Sequence, residues 1–364
     1  MALQSIEISS HKNSIEQVTG DDGKRIDPLP LSEYNYPRYA KFINTFYSKA
    51  YKMISGAFLI LYLGELPAYF KYWAKTCEPN HDHFHWFVYN DRIARKQNYN
   101  QAVTLVPYTF ERLCSDLKSS LQIHLPPQNT RVVCDCRTML YALRKDDDQL
   151  GQYDFIGYSD LDVVYGDISR FLPDNPGRYS LISAADHRPC GPFTLFNRNY
   201  LQTILENDRI KTRLEQTFES LPDDLPGLQG DDSAFKPMSG NSTKDKIAEH
   251  LKFTHLDESE ELVEMAQAHD PAFCMAVPLQ PAMGRWFDHR RAFALWDKGR
   301  LYVRDVWGHQ KEGAVFHFSR FKNRSRFHIT SDALEADLLG IYKYGIIDAR
   351  PLSTRFKMLL TLLY

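Results

Sequence analysis

Asp160 and Asp162, in the stretch "FIGYSDLDVVYGDISRF" from Phe155 to Phe171, have the plainest capacity for chemistry. "YDFIGYS" reads as a strand, and two carboxylates at i and i+2 beyond its end can both reach one ion, directly or through water. Hard cations such as Mg2+ and Mn2+ take such oxygen ligands and share their shell with substrate phosphates. Carboxylates left unpaired in a buried strand would be costly, so a divalent cation is a natural partner. The competing reading of a bare Asp-X-Asp is a solvated turn.

Other residues extend this chemistry. "AVFHFSRFKNRSRF" carries His317 and then Arg320, Lys322, Arg324 and Arg326. A neutral imidazole can complete a metal shell, and dense basic groups can hold phosphate; a lone strand histidine is more often a satisfied core residue. "LQGDDSAFK" sets Asp231 and Asp232 between a glycine and an expected helix. Either could be a general base for a hydroxyl, and either could equally be an N-cap or first-turn acid. Asp167 is expected to cap the helix of "ISRFLPD". "CGPFTLFN" places Gly191 and Pro192 before an apolar strand, a form suited to close backbone approach to a ligand. His81, His83 and His85 stand at strand spacing, which could make a zinc face, although surface residues leading into a strand are the preferred reading. The pair Cys134 and Cys136 reads as buried small residues rather than as a metal site. Neither GxxxxGK[ST] nor GxGxxG occurs, which counts against a simple kinase, NTPase or dinucleotide oxidoreductase.

The elements that must position these residues follow from hydrophobic patterning. "GAFLILYL" (Gly56 to Leu63) is a continuous apolar run of the kind buried on both faces of a parallel sheet. A helix is expected over "GELPAYFKYWAKTC", with Pro67 near its start. "HFHWFVYND" reads as a second strand and "AVTLVPY" as a third. "TFERLCSDLKSSL" reads as a helix capped by Thr109. "VVCDCRTMLYALRK" looks helical and leads to the Asp160 strand. Later, "YSLISA", "FTLFN", "RLYVRDVW" and "AVFHFSRF" read as strands and "NYLQTILENDRIKTRLEQTF" as a long helix. This alternation implies an α/β protein, a mostly parallel sheet with helices on both faces.

Residues 1–52 read as an N-terminal extension, 53–330 as one interlocked unit (53–172 and 173–330 as its halves), and 331–364 as a helical tail. The tail "RFKMLLTLLY" suits a core helix better than a membrane-surface contact. A chain of 364 residues with 43% hydrophobic content can bury a large core. With 44 basic and 46 acidic residues, net charge -2, nothing global argues for nucleic acid. Six cysteines without CxxC pairs suggest reduced thiols. The start lacks the pattern of a signal peptide, and no stretch nears ~20 uninterrupted apolar residues, so a cytoplasmic protein is expected.

With these residues in view, the chain resembles the GT-A-type glycosyltransferases of bacterial polysaccharide and lipopolysaccharide gene clusters, and within them a poorly characterised group. The resemblance lies in "FLILYLGELPAYFKYWAKTCEPN", "HWFVYND", "GYSDLDVVYGDISRFL", "YSLISA", "HRPCGPFTLFNRN" and "FHFSRFK", in order, and covers roughly 56–326. It implies a Rossmann-like nucleotide-binding half fused to a smaller mixed acceptor-binding region. It implies a metal-dependent transfer of a sugar from a nucleotide sugar to a saccharide or glycolipid in capsule, O-antigen or lipopolysaccharide synthesis, with Mn2+ or Mg2+ as cofactor; with a lipid-linked acceptor, "KMLLTLLY" would let the enzyme meet it peripherally at the cytoplasmic face of the inner membrane. Carried over residue by residue, Asp160 and Asp162 would bind the ion and the donor diphosphate, His317 would be a further metal or phosphate ligand, and Lys322 would lie beyond it. Tyr62, Gly64 and Leu66 would line the nucleotide, Asp91 would lie near the base, and Asp135 and Arg137 would contact ribose or phosphate. Asp231 and Asp232 resemble the acidic site that serves as base in inverting members, but "DDSAF" departs from the commoner Glu-Asp. Inverting or retaining chemistry stays open. A metal-dependent phosphoesterase and a non-catalytic glycan- or nucleotide-binding module are the alternatives.

Overall fold

The computed structural model describes residues 53–125, 136–137, 139–146, 150–172, 175–184, 192–206, 292–305, 310–322 and 326–363. All belong to the second of the chain's two units, Lys52–Tyr364. In chain order, the first part forms β1 (Gly56–Leu61), helix α1 (Phe70–Cys77), β2 (Phe84–Asn90), β3 (Gln97–Asn98), β4 (Val103–Pro107), α2 (Phe110–Leu121), α3 (Leu140–Arg144), β5 (Phe155–Ser159), β6 (Val163–Tyr165), β7 (Leu181–Ser183), β8 (Phe193–Asn197) and α4 (Arg198–Glu206). The later part forms β9 (Ala292–Asp297), β10 (Arg300–Asp305), β11 (Gln310–Gly313), β12 (Val315–His317), the helical turn α5 (Ser319–Lys322), β13 (His328–Ile329), β14 (Leu338–Tyr342), β15 (Gly345–Asp348) and α6 (Leu352–Leu363).

The apolar run of β1 is buried from Gly56 to Ile60 because the strand lies inside a seven-stranded sheet ordered β3-β4-β2-β1-β5-β8-β7. Its four inner strands, β4, β2, β1 and β5, are parallel neighbours. The pairings β3–β4, β5–β8 and β7–β8 are antiparallel. The expectation of a mostly parallel sheet is therefore corrected to a mixed sheet with a parallel centre. Helix α1 crosses between β1 and β2 and keeps them parallel, whereas the chain that leaves β5 comes back through β8 in the opposite direction.

Alternate side chains of β1 enter two cores. Phe58 and Ile60 pack with Trp73 of α1, with Trp86, and with Trp296, Leu301 and Ile341 of a second sheet. Ala57 and Leu59 pack with Leu113 and Leu117 of α2, Leu140 of α3, and Tyr200, Leu201 and Ile204 of α4. Helices thus cover both faces, and one face also carries the six-stranded sheet β11-β10-β9-β14-β15-β13.

Several local readings meet their partners here. The Thr109 side chain caps α2 by accepting from the Arg112 N–H at 3.2 Å. Asp167 makes no side-chain cap, contrary to expectation. The buried Asn80 takes that role, its Oδ1 accepting from the Ile168 N–H at 2.9 Å and its Nδ2 donating to the Gly166 carbonyl at 2.9 Å. The tail is helical only in part: Ser331–Glu335 form a short 3-10 helix, and strands follow it. Apolar "LLGIY" and "GIID" form the antiparallel pair β14 and β15, and the terminal α-helix begins at Leu352. Helix α6 buries Met358 against Phe293, Tyr342 and Ile347, as the core reading expects, while Leu352 is 78% and Phe356 61% exposed. Within "VVCDCRTMLYALRK" the described helix spans only Leu140–Arg144. The "NYLQ" helix is described as Arg198–Glu206, and its expected continuation lies outside the described residues. Cys136 is fully buried, in line with its reading, while Cys134 lies outside the described residues. Among the described residues no helix is long and apolar enough to cross a membrane.

His85 is half-buried in β2, with its Nε2 2.8 Å from the Thr104 hydroxyl. Burial, helped by Lys96, lowers its pKa from 6.5 to about 4. Between those two values the unfolded chain binds a proton that the folded chain does not, so stability falls on acidification through that window. His85→Gln is expected to flatten that part of the dependence, which urea midpoints at pH 7 and pH 5 would show.

Candidate metal centre

Strand β5 ends at Ser159, and the chain turns through Asp160 to Asp162 before β6 leaves the large sheet. Strand β6 then pairs antiparallel with β12, and that register sets His317 opposite Val163. The Phe318 N–H donates to the Asp162 carbonyl at 2.9 Å and closes the ladder. Backbone pairing, rather than sequence proximity, brings the imidazole to the two carboxylates.

The His317 Nε2 lies 3.3 Å from Asp162 Oδ1 and 3.9 Å from Asp160 Oδ2. One ligand atom from each of these three residues lies within 4.8 Å of the others. Cis ligands on an ion with bonds of ~2.1 Å stand about 3 Å apart, so the set fits a divalent ion after a small adjustment. The Asp162 side chain is only 5% exposed, which excludes the solvated turn as its environment. Lys322, on the turn that follows β12, places Nζ 3.1 Å from Asp162 Oδ2. Arg137 donates to Asp160 Oδ1 at 3.0 Å, and its guanidinium lies 5.3 Å from the Tyr158 ring centre.

Burial opposes ionisation of Asp162, but His317 and Lys322 outweigh it and hold the carboxyl well below the usual carboxylate range. Burial likewise opposes the charged form of His317, and Asp162 with Asp160 overcomes it and raises the imidazole pKa. Beneath the centre the Ser159 hydroxyl is hydrogen-bonded to the Tyr165 hydroxyl, and it donates to the Pro192 carbonyl at 2.5 Å. The Trp296 indole N–H donates to the Tyr165 carbonyl at 2.8 Å, tying β6 to the second sheet.

The loop after β1 runs alongside. Strands β1 and β5 pair with Phe58 opposite Gly157, and that register carried forward sets Leu61 level with Asp160. Gly64 has φ +103, a conformation that favours glycine. Its N–H donates to Asp91 Oδ1 at 2.6 Å. The Asn90 amide donates to the Tyr62 carbonyl at 2.6 Å and the Gly64 carbonyl at 2.9 Å. Tyr62 and Leu66 are partly buried and pack on the core that includes Leu161 and Phe318.

The structure thus brings Asp160, Asp162, His317, Arg137 and Lys322 together, and joins Tyr62 and Gly64 to Asp91 through one loop. Arg137 and Lys322, expected at phosphate or ribose, lie on the carboxylates. Asp135, Asp231, Asp232, Gly191, Arg324 and the side chain of Arg320 lie outside the described residues. Asp160, Asp162 and His317 form the only cluster of metal-ligand type among the described residues, so His81, His83 and His85 do not make one. Sequence reading passed over Asn90 and Ser159. A polar residue at the end of an apolar strand was their signal, because a buried polar group must find a partner.

A family profile described as "Family of unknown function (DUF6625)" matches residues 58–349, a span that holds every residue of this centre. No curated protein matches the chain.

Proposed function

The chain belongs to DUF6625, a family of unknown function, and we propose that this member is a metal-dependent glycosyltransferase that takes its donor as a nucleotide sugar. The observation that carries the reading is the place of the centre in the fold. From β1 the sheet order runs one way through β2 to β4 and the other way to β5. Ligands of open α/β sheets bind outside the carboxyl ends of the strands, where the order reverses. In this sheet that position falls between the loop after β1 and the turn after β5, where Asp160 and Asp162 stand.

Asp160, Asp162 and His317 would hold Mn2+ or Mg2+, which when bound neutralises the diphosphate leaving group of a donor. Arg137 and Lys322 add fixed positive charge where negative charge develops as the anomeric bond breaks. The loop pinned by Asn90 and Asp91 would face the nucleotide. A base for the acceptor hydroxyl is proposed at Asp231 or Asp232. A saccharide on a lipid, as in bacterial surface polysaccharide synthesis, suits an enzyme whose exposed Leu352 and Phe356 stand beside the exposed Arg355 and Lys357.

The test is thermal melting with UDP, GDP, TDP and CMP, each with and without Mn2+, on the wild type and on Asp160→Ala/Asp162→Ala. One nucleotide should stabilise the wild type only with Mn2+, by about 2.7 kcal/mol at a hundredfold excess over Kd. The double variant should show no such gain. The sugar nucleotide of that base should then release its nucleotide in the presence of a saccharide acceptor. Absence of any nucleotide effect, or cleavage of simple phosphoesters without a sugar nucleotide, would sink the reading, and the second result would favour a phosphoesterase.

A further inference from the structure

The two carboxylates of the centre are divided in the same way. Asp160 turns Oδ2 toward His317 and gives Oδ1 to Arg137; Asp162 turns Oδ1 toward His317 and gives Oδ2 to Lys322. Neither carboxylate presents both oxygens to the space beside the imidazole.

The cations that impose this division are themselves held. The Arg137 side chain is 13% exposed and its guanidinium lies over the Tyr158 ring of β5. Lys322 rides on the turn α5, directly after the β12 strand that carries His317. Asp162, 5% exposed, has no solvated space in which to swing its second oxygen around.

From this we infer that Arg137 and Lys322 are positioning residues that set the ion preference of the centre, by restricting Asp160 and Asp162 to one ligand oxygen each. A set of two single carboxylate oxygens and one imidazole nitrogen suits a small first-row ion such as Mn2+. Ca2+ takes six to eight oxygen ligands, commonly with bidentate carboxylates, and gains little from imidazole. The inference rests on the proposed metal centre, and it does not depend on sugar transfer.

Charge gives the inference its control. Arg137 and Lys322 repel every divalent ion alike, so removing either strengthens binding of all of them by Coulomb attraction alone. Only the ratio of affinities between ions reads the number of oxygens offered.

The experiment is calorimetric titration of the full chain with Mn2+ and with Ca2+, for wild type, Arg137→Met, Lys322→Met and the double variant. Metal-free melting curves check each fold. The wild type should prefer Mn2+, and each single substitution should reduce that preference by about tenfold or more, with the double variant lower still. Lys322 is 29% exposed, so its substitution is the least able to unfold the chain, and its result alone decides. Parallel strengthening of both ions at an unchanged ratio would overturn the inference and leave the metal centre standing. A wild type that binds neither ion would remove the metal centre itself, and the inference with it.

Discussion

Asp162→Ala lowers the stability of the metal-free protein by about 3–5 kcal/mol, whereas Asp160→Ala costs about 1 kcal/mol or less. The two aspartates have the same chemistry and stand two positions apart in the chain, and burial separates them. The Asp162 side chain is 5% exposed and balances both His317 and Lys322. Removing it leaves those cations facing each other in a poorly solvated space, the situation in which loss of one partner is most costly. The Asp160 side chain is 31% exposed, so water can enter the space its carboxylate leaves, and Arg137, itself 13% exposed, keeps the Tyr158 ring beside it. Urea denaturation in the presence of a chelator measures both values. Titration with Mn2+ gives the complementary result, since either substitution removes one of the three proposed ligands and both should lose most of the metal affinity. Equal destabilisation by the two substitutions would show that the carboxylates share one environment and would contradict the unequal burial.

Gly157→Ala is expected to be nearly as disruptive, although it adds one methyl group. In β5 a Cβ at this position would stand 1.9 Å from the Thr194 carbonyl oxygen and 2.9 Å from its carbon. The obstacle is the backbone of β8, which cannot rotate away as a side chain would. Relief requires β5 and β8 to separate, where Gly157 faces Leu195 in the antiparallel register. Overpacking of this kind costs about 1–3 kcal/mol, and a backbone obstacle belongs at the upper end. The displacement would also reach Asp160, three positions further along the same strand and turn, so Mn2+ affinity should fall together with the urea midpoint. A variant with wild-type stability would mean that the β5–β8 approach is looser than the structure has it.

The parts of the molecule that could be read in the sequence are those fixed by local chemistry. The apolar run of β1, the strand "HWFVYN", the Thr109 cap and the exit of β5 at Asp160 carry their instructions within a few residues. The meeting of His317 with Asp162 is an expectation that comes from the family resemblance, and its cause, the pairing of β6 with β12, is not written in either segment. Asp167 shows the limit from the other side. Its position favours a cap, yet the Ile168 N–H is already satisfied by Asn80 from the end of a distant helix. The partners of Arg137 and Lys322 were equally hidden, because a basic residue near a carboxylate and one near a phosphate look alike until the fold decides which is closer. The strands β14 and β15 were misread as helix because a short apolar run has no period that separates the two.

Strands β6 and β12 meet over only three residue pairs, Val163 to Tyr165 with Val315 to His317. This short ladder also joins two stretches of chain separated by about 150 residues, and closing so long a loop carries an entropic penalty that grows slowly with length. An ion held jointly by Asp160, Asp162 and His317 would therefore act as a reversible cross-link, placed where the loop is already drawn shut. Its capture would stiffen the β6–β12 ladder, and its release would leave that ladder to its three backbone pairs, the two salt-bridged carboxylates and the Trp296 hydrogen bond to Tyr165. The same atoms that would draw in a donor would then also set how firmly β6 and β12 are fastened to each other.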